Sequence, residues 1–379
     1  MVLGARLGAP GRSAAGLTLR IVVDATPLSL PRTGIGNYLR GMLAGLAAAA
    51  GDDDIVAFAP TGVRGRRYVE ASLADLDVER RLVTLPLARL WRRLWSRAQR
   101  PVVERMAGPL DVFHFSDWMY PAQRAGVRAT TVHDLVPIRH RELVHPRTYR
   151  LHTSKLKNAA ATCDVIFANS EFTAGEVADL LRVPAERIRV AYPGIADLFR
   201  PEGSRAELGA PYVLTVATLE PRKNLESLVR AFRLVRREAP ELLLVVAGAR
   251  PPKGAPESTV LAGDGVRLVG FVSDRELAAL YRGARVFVYP SLFEGFGMPI
   301  VEALACGAPV VASAHPSLDE ASGEVAIRAD ATDAGALADA IGRALDDGAE
   351  QGDEGLAHAR RFTWLACGTA VLDGYRSAL

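Results

Sequence analysis

Short apolar runs alternate with helix-period segments along most of this chain, and that alternation restricts the fold more than any other feature. Parallel strands cannot be joined by tight turns, so each needs a covering crossover, and the pattern predicts α/β architecture built from βαβ units. The series opens at residues 19–24, Leu-Arg-Ile-Val-Val-Asp, and a helix is expected over about 37–50. Further strands are expected at 55–59, 112–115, 129–133, 165–168 and 188–191. Proline and glycine punctuation at Tyr192-Pro193-Gly194 and Arg200-Pro201-Glu202-Gly203 marks a hinge. A second series begins at Tyr212, with strands expected at 212–216, 242–247, 266–269, 286–289 and 309–312, and the pattern turns helical after about Asp333. The expected division is a first domain over 18–195, a linker over 196–210, a second domain over 211–360 and a terminal helix over 361–379. A length of 379 residues is enough for two such cores, although length alone does not choose two.

Composition excludes several classes. Hydrophobic residues make up 49% of the chain, yet no continuous apolar run approaches the roughly 18 residues of a membrane span. Residues 1–17 are rich in Gly, Ala and Arg without an apolar centre, which reads as a disordered extension rather than a signal peptide and favours a cytoplasmic protein. Cys163, Cys306 and Cys367 are too far apart to suggest a metal cluster or a disulfide framework. A net charge of +3 gives nucleic-acid binding no global support. Among 46 basic residues only Lys155, Lys157, Lys223 and Lys253 are lysine, which draws attention to Lys223.

The chemistry-bearing segments sit at strand ends. In Phe293-Glu294-Gly295-Phe296-Gly297-Met298-Pro299-Ile300-Val301-Glu302, two carboxylates lie across a glycine-broken turn. The turn feeds a helix with Pro299 at its first position and Gly307 as its stop. Gly295 and Gly297 allow close backbone approach and positive φ, which would leave amide N–H groups to meet ligand oxygens. Thr218-Leu219-Glu220-Pro221-Arg222-Lys223-Asn224 follows the first strand of the second series, where adjacent cations would neutralise a diphosphate without a metal; the alternative is a solvated helix start capped by Asn224. Thr33-Gly34-Ile35-Gly36-Asn37 suits close phosphate approach or a plain turn, and its spacing matches neither the dinucleotide fingerprint nor a P-loop. A strand ends at His133-Asp134, with Asp134 also suited to capping the next turn. Ser170 reads as an N-cap, Ser273-Asp274 as a helix start, and His114 as a weaker cleft candidate.

Taken together, in this order over residues 19–330, these segments resemble the retaining nucleotide-sugar glycosyltransferases of family 4, which have the GT-B fold of two facing Rossmann-like domains. The resemblance implies sugar transfer from a nucleotide-diphosphate donor to a hydroxyl acceptor with retention at the anomeric carbon. It does not identify the acceptor, for which a glycan or lipid-linked hydroxyl is the working choice, and the Arg222–Lys223 charges make a metal unnecessary, with no other cofactor expected. The resemblance implies that Arg222 and Lys223 bind the diphosphate, that Glu294 and the Gly295, Phe296 and Gly297 backbone hold sugar hydroxyls, and that Glu302 binds the ribose. It further places Gly34 and Gly36 over the donor phosphates, the segment Gly270, Phe271, Val272 through Leu277 at the nucleotide base, and His133 on the transferred sugar from the opposite domain. His133, Glu294, Arg222 and Lys223 are thereby the expected catalytic set, and the terminal helix is expected to cross back onto the first domain. GDP-mannose, UDP-glucose and related donors all suit the motifs, with mannose from GDP-mannose as the working choice. A non-catalytic sugar-nucleotide-binding protein and a GT-B epimerase remain as alternatives.

One segment lies outside that scheme. Over 87–102, Leu87, Leu90, Trp91, Leu94, Trp95, Ala98 and Val102 are expected to share one helical side and Arg89, Arg92, Arg93, Arg97 and Arg100 the other. Such a helix either lies on an anionic membrane or packs its apolar stripe against the first domain. The basic run His140, Arg141, His145, Arg147, Arg150, His152, Lys155 and Lys157 reads as either a solvated helix or a site for an anionic acceptor.

Overall fold

The computed structural model describes residues 18–379 apart from 32, 117–118, 144–145, 249–262 and 349–350; the expectation for 1–17 lies outside the described residues. Thirteen strands form two sheets. The first comprises β1 (Arg20–Asp24), β2 (Asp54–Thr61), β3 (Glu79–Thr84), β4 (Val112–Phe115), β5 (Val127–Val132), β6 (Val165–Ala168) and β7 (Ile188–Val190), in the order β3-β2-β1-β4-β5-β6-β7. The second comprises β8 (Tyr212–Val216), β9 (Leu243–Ala247), β10 (Val266–Gly270), β11 (Val286–Tyr289), β12 (Val310–Ser313) and β13 (Ile327–Ala329), in the order β10-β9-β8-β11-β12-β13. Every pairing is parallel. Both sheets reverse direction beside their first strand, which is the doubly wound order and puts a ligand crevice outside the strand C-termini at the switch point. The chain is therefore α/β with two Rossmann-like domains.

Nine helices matter below: α1 (Gly34–Ala49), α2 (Ala88–Ala98), α3 (Pro146–Thr162), α4 (Glu171–Leu181), α5 (Leu225–Val235), α6 (Asp274–Gly283), α7 (Met298–Ala305), α8 (Ala334–Asp347) and α9 (Trp364–Ser377). The interior strands form where the sequence predicts them, because strands covered on both faces must be nearly continuously apolar. Two strands have no such run. β3 begins Glu-Arg-Arg and is largely exposed at an edge, and β13 is an edge strand of three residues. Helix α1 starts at Gly34 rather than near residue 37, because the Thr33 side chain accepts the Gly36 N–H at 3.1 Å and caps the turn. In α7, Pro299 takes the second helical position behind Met298, and Gly307 follows the C-cap with φ +74°.

Helix α9 returns to the first domain and packs against α1. A Cβ on Gly45 would lie 1.8 Å from the Trp364 carbonyl oxygen, and one on Gly368 would lie 2.0 Å from the Gly45 carbonyl carbon, so only glycine permits this approach. Val371, Leu372 and Tyr375 of α9 complete the core formed with Met42, Leu43 and Leu46. A second tie joins the domains. The Glu320 carboxylate accepts the Glu171 and Phe172 amides at 2.8 and 2.9 Å, at the N-terminus of α4, and the Tyr192 hydroxyl at 2.6 Å. The hydroxyls of Ser170 and Thr173 donate to the Gly295 carbonyl, Thr173 at 3.0 Å. Ser170 also caps α4 by accepting the Thr173 N–H at 2.9 Å, as its position predicts.

Candidate functional site

A cleft of about 670 Å³ lies between the C-terminal ends of the two sheets. Its first-domain wall includes Thr33, Gly34, Asn37, His133, Asp134, His152 and Lys155; its second-domain wall includes Thr218, Glu220, Arg222, Lys223, Gly248, Phe271, Val272, Leu277, Tyr289 and Pro299. That volume falls within the usual range for small-molecule sites.

Arg222 and Lys223 follow β8 and reach across the switch point to Glu294, which follows β11. Glu294 Oε2 accepts from Arg222 at 2.7 Å, and Oε1 accepts from Lys223 at 2.5 Å, Ser291 Oγ at 2.5 Å and the Tyr289 hydroxyl at 3.1 Å. Burial alone would raise the Glu294 pKa, but the two cations outweigh it and hold the carboxyl down at about 2. Burial works against the Arg222 charge too, and Glu294 and Glu220 overcome it, raising its pKa. Glu220 accepts from Arg222 Nε at 2.8 Å, and Lys223 donates to the Tyr289 hydroxyl at 2.8 Å. Both cations line the cleft, held by Glu220 within its wall and by Glu294, which is not among the lining residues. Glu294 itself is 8% exposed and lies behind them.

The opposite wall carries His133 at the end of β5, its ring 4.7 Å from Tyr38 in an edge-to-face contact. A Cβ on Gly295 would meet the His133 carbonyl oxygen at 1.7 Å, so the glycine turn abuts the histidine strand directly. Asp134 Oδ1 accepts the Val136 N–H at 3.1 Å, the turn cap expected of it, and burial raises its pKa against the lowering effect of Arg222. Lys155 is 1% exposed and donates to the Thr131 carbonyl at 2.8 Å.

Several expected residues stand elsewhere. Phe296 turns its ring into the core against Tyr192 and Phe362, leaving only its backbone for a ligand. Gly297 has φ +104° and caps α7. Glu302 accepts the Tyr281 hydroxyl at 3.0 Å and is not among the cleft-lining side chains. Gly36 sits inside the first turn of α1 behind Gly34, and Gly270 ends β10 with φ +73°, ahead of Phe271, which is 70% exposed at the cleft. Ser273 and Glu276 form a reciprocal capping box on α6. Asn224 occupies the N-cap position of α5, but its side chain donates to the Pro290 and Ala331 carbonyls instead of capping. His114 is buried away from the cleft, bonded to the Tyr375 hydroxyl at 2.6 Å and Thr131 at 3.1 Å, and burial drives its pKa down to about 3. Two Asp-x-Asp triplets, at 52–54 and 75–77, stand outside the cleft: Asp53 accepts from the Leu19 amide and Arg376, and Asp75 from Arg40.

Sequence reading missed Tyr289, whose place as the last residue of β11 is its only local signal. Gly248 was missed too: with φ +142°, its Cβ would fall 1.9 Å from the Ala217 carbonyl oxygen. The division of α2 also needs correction. Arg92 is 3% exposed and donates to the Pro60 carbonyl at 2.8 Å, whereas Leu87, Leu90 and Leu94 are 78%, 52% and 57% exposed. The helix buries Ala88, Arg92, Trp95 and Ser96, with Trp95 in aromatic contact with Phe58 and Trp91, so its buried face is displaced by about one residue, roughly 100° in all, from the expected stripe.

Residues 32–197 match the family described as Glycosyltransferase Family 4, and residues 200–358 match Glycosyl transferases group 1. A D-inositol 3-phosphate glycosyltransferase of Thermobispora bispora is 30% identical over 72% of this chain and 72% of its own. This chain belongs to the family 4 glycosyltransferases. An Escherichia coli O-antigen chain mannosyltransferase B is 28% identical over 94% of this glycosyltransferase and the whole of its own length. Among solved structures, a sucrose-phosphate synthase from Thermosynechococcus elongatus superposes with a TM-score of 0.69 at 21% identity, covering 95% of this chain and 98% of that one, which is a likeness of fold. The glycosyltransferase thus has the GT-B arrangement.

Proposed function

We propose that this glycosyltransferase moves mannose from GDP-mannose to a hydroxyl of a glycan or lipid-linked acceptor, with retention and without a metal. The observation that carries the reading is the Arg222–Lys223 pair, pre-aimed by Glu220 and Glu294 at the switch point of the second sheet and faced by His133 from the first. The likeness to a mannosyltransferase over nearly the whole chain supports the donor choice. As the glycosidic bond breaks, negative charge collects on the departing diphosphate, and two cations already fixed in place stabilise that charge without reorganising. The sugar becomes oxocarbenium-like. His133 orients it, the acceptor hydroxyl attacks from the face the diphosphate leaves, and the leaving phosphate takes the proton. By family likeness Glu294 and the 295–297 backbone hold sugar hydroxyls and Glu302 meets the ribose.

Two measurements test this. In a thermal-shift panel GDP and GDP-mannose should raise the melting temperature above any uridine counterpart, by mass action. Incubation of GDP-mannose with a chelator in excess should still release GDP in an acceptor-dependent way, with the product linkage α. Activity that vanishes with chelator and returns with magnesium would overturn the metal-free mechanism. Stabilisation by GDP-mannose without acceptor-dependent release would leave a sugar-nucleotide-binding protein.

A further inference from the structure

The solvent face of α2 is unlike the rest of the surface. Leu90 and Leu94 fall at i and i+4 on one side of the helix, Leu87 stands at its N-cap with φ +47°, and the three, which make up an apolar ridge, are all more than half exposed. They are three of the nine exposed large hydrophobics among the described residues. Single exposed apolar side chains are ordinary, but a helical row of them is not. Beside this ridge run Arg89, Arg93 and Arg97, also exposed, at i, i+4 and i+8. No acidic residue occurs between Glu79 and Glu104, so this segment supplies its arginines with no internal counter-ion. The other side of the helix is anchored in the protein: Arg92 bonds to Pro60, Trp95 Nε1 donates to the Pro101 carbonyl at 2.5 Å, and Trp95 packs on Phe58. The apolar ridge is thus surplus to packing.

Its location bears on use. Ser96 of α2 accepts the Tyr120 N–H at 3.0 Å, and the Tyr120 hydroxyl meets Ser154 Oγ at 2.8 Å on α3. Helix α3 carries His152 and Lys155 into the cleft wall and Leu151, 49% exposed, at the surface. The leucine ridge is therefore tied by two hydrogen bonds to the helix that lines the acceptor-side wall.

We propose that α2 seats this glycosyltransferase on an anionic lipid bilayer, with Leu87, Leu90 and Leu94 entering the headgroup–acyl boundary and Arg89, Arg93 and Arg97 meeting lipid phosphates. Apolar insertion and electrostatic attraction reinforce each other on such a face. The seat brings the first-domain wall of the cleft close to the lipid, where a lipid-linked hydroxyl is presented. This last point rests on the proposed transfer reaction; the membrane contact does not.

The test is flotation of the full chain with vesicles of phosphatidylcholine alone and of phosphatidylcholine mixed with phosphatidylglycerol. Wild type should float only with the anionic vesicles and stay behind at about 1 M salt, where charge is screened over roughly 3 Å. An Arg89→Gln, Arg93→Gln, Arg97→Gln variant should lose partitioning on the order of a hundredfold, about fivefold per charge. A Leu90→Ser, Leu94→Ser variant should also fail to float. All these side chains are exposed, so melting temperature and GDP release without vesicles should match wild type. That release assay separates failure of the membrane seat from failure of the proposed reaction. Wild type remaining in solution with both vesicle types would overturn the proposal. So would a leucine variant that floats normally while its solution mass falls from dimer to monomer, which would make the ridge a contact with a second copy.

Discussion

Glu294 sits where a carboxylate organises two cations, and the consequences of removing any partner differ. Lys223→Ala takes away a cleft-lining cation and should weaken nucleotide-sugar binding by about 2–3 kcal/mol, a typical cost for a charged hydrogen-bond partner, read by calorimetry. Unchanged affinity would detach Lys223 from the diphosphate. His133→Ala, on the other wall, should leave nucleotide affinity nearly intact and lower turnover by a transition-state loss of about 2–4 kcal/mol. An equal loss in binding would place His133 at the nucleotide instead of the sugar. These side chains were legible because each sits at a strand end next to glycine, proline or a second charged group. Tyr289 and Glu320 were not, since the partners Lys223 of Tyr289 and Tyr192 of Glu320 reach them only through tertiary folding, and Ser291, although three residues from Glu294, carries no motif that marks it.

Helices and strands follow the same division. Interior strands such as β4, β6, β8 and β11 were readable to the residue because burial on both faces keeps them nearly continuously apolar, with His114 in β4 and Thr215 in β8 as isolated exceptions. Edge strands β3 and β13 answer to one neighbour each and carry no such imprint. Helix α2 was readable as a helix, yet its rotation was not. An arginine can be buried when a carbonyl accepts its N–H hydrogen bond, as Pro60 does for Arg92, and no periodicity records that partner. The α1–α9 contact was equally hidden, since Gly41, Gly45 and Gly368 look like ordinary helix-weakening glycines until the backbones meet. Gly368→Val should force α1 and α9 apart and destabilise the protein by about 3 kcal/mol or more, as overpacking against backbone cannot relax. A melting temperature within a degree of wild type would show that α9 is dispensable to the first core.

For the molecule as a whole, acid should be the damaging direction. Glu294, held at about 2, contributes stability that is fully present above the ordinary carboxylate range and lost as pH falls toward 2. His114, held at about 3, stays neutral when folded while an unfolded chain takes up its proton from about pH 6.5 downward, so the unfolded state binds more protons across that window. Melting temperature should therefore fall steadily from pH 7 to 3, and His114→Gln, which keeps a hydrogen-bond acceptor for Tyr375, should flatten the upper part of the decline. A wild-type curve already flat between pH 6.5 and 4 would contradict this. The two-domain layout itself was legible from alternating periodicity and the proline-glycine hinge; the closure of the cleft was not, because it depends on Glu320 seated at the N-terminus of α4. That seat has a thermodynamic consequence. A donor that touches both walls binds only the closed arrangement, and its apparent dissociation constant is the intrinsic one divided by the fraction of molecules already closed. Glu320, bonded across the domain junction in this arrangement, raises that fraction, so less of the donor's binding free energy goes into closing the protein and more remains for the sugar being transferred.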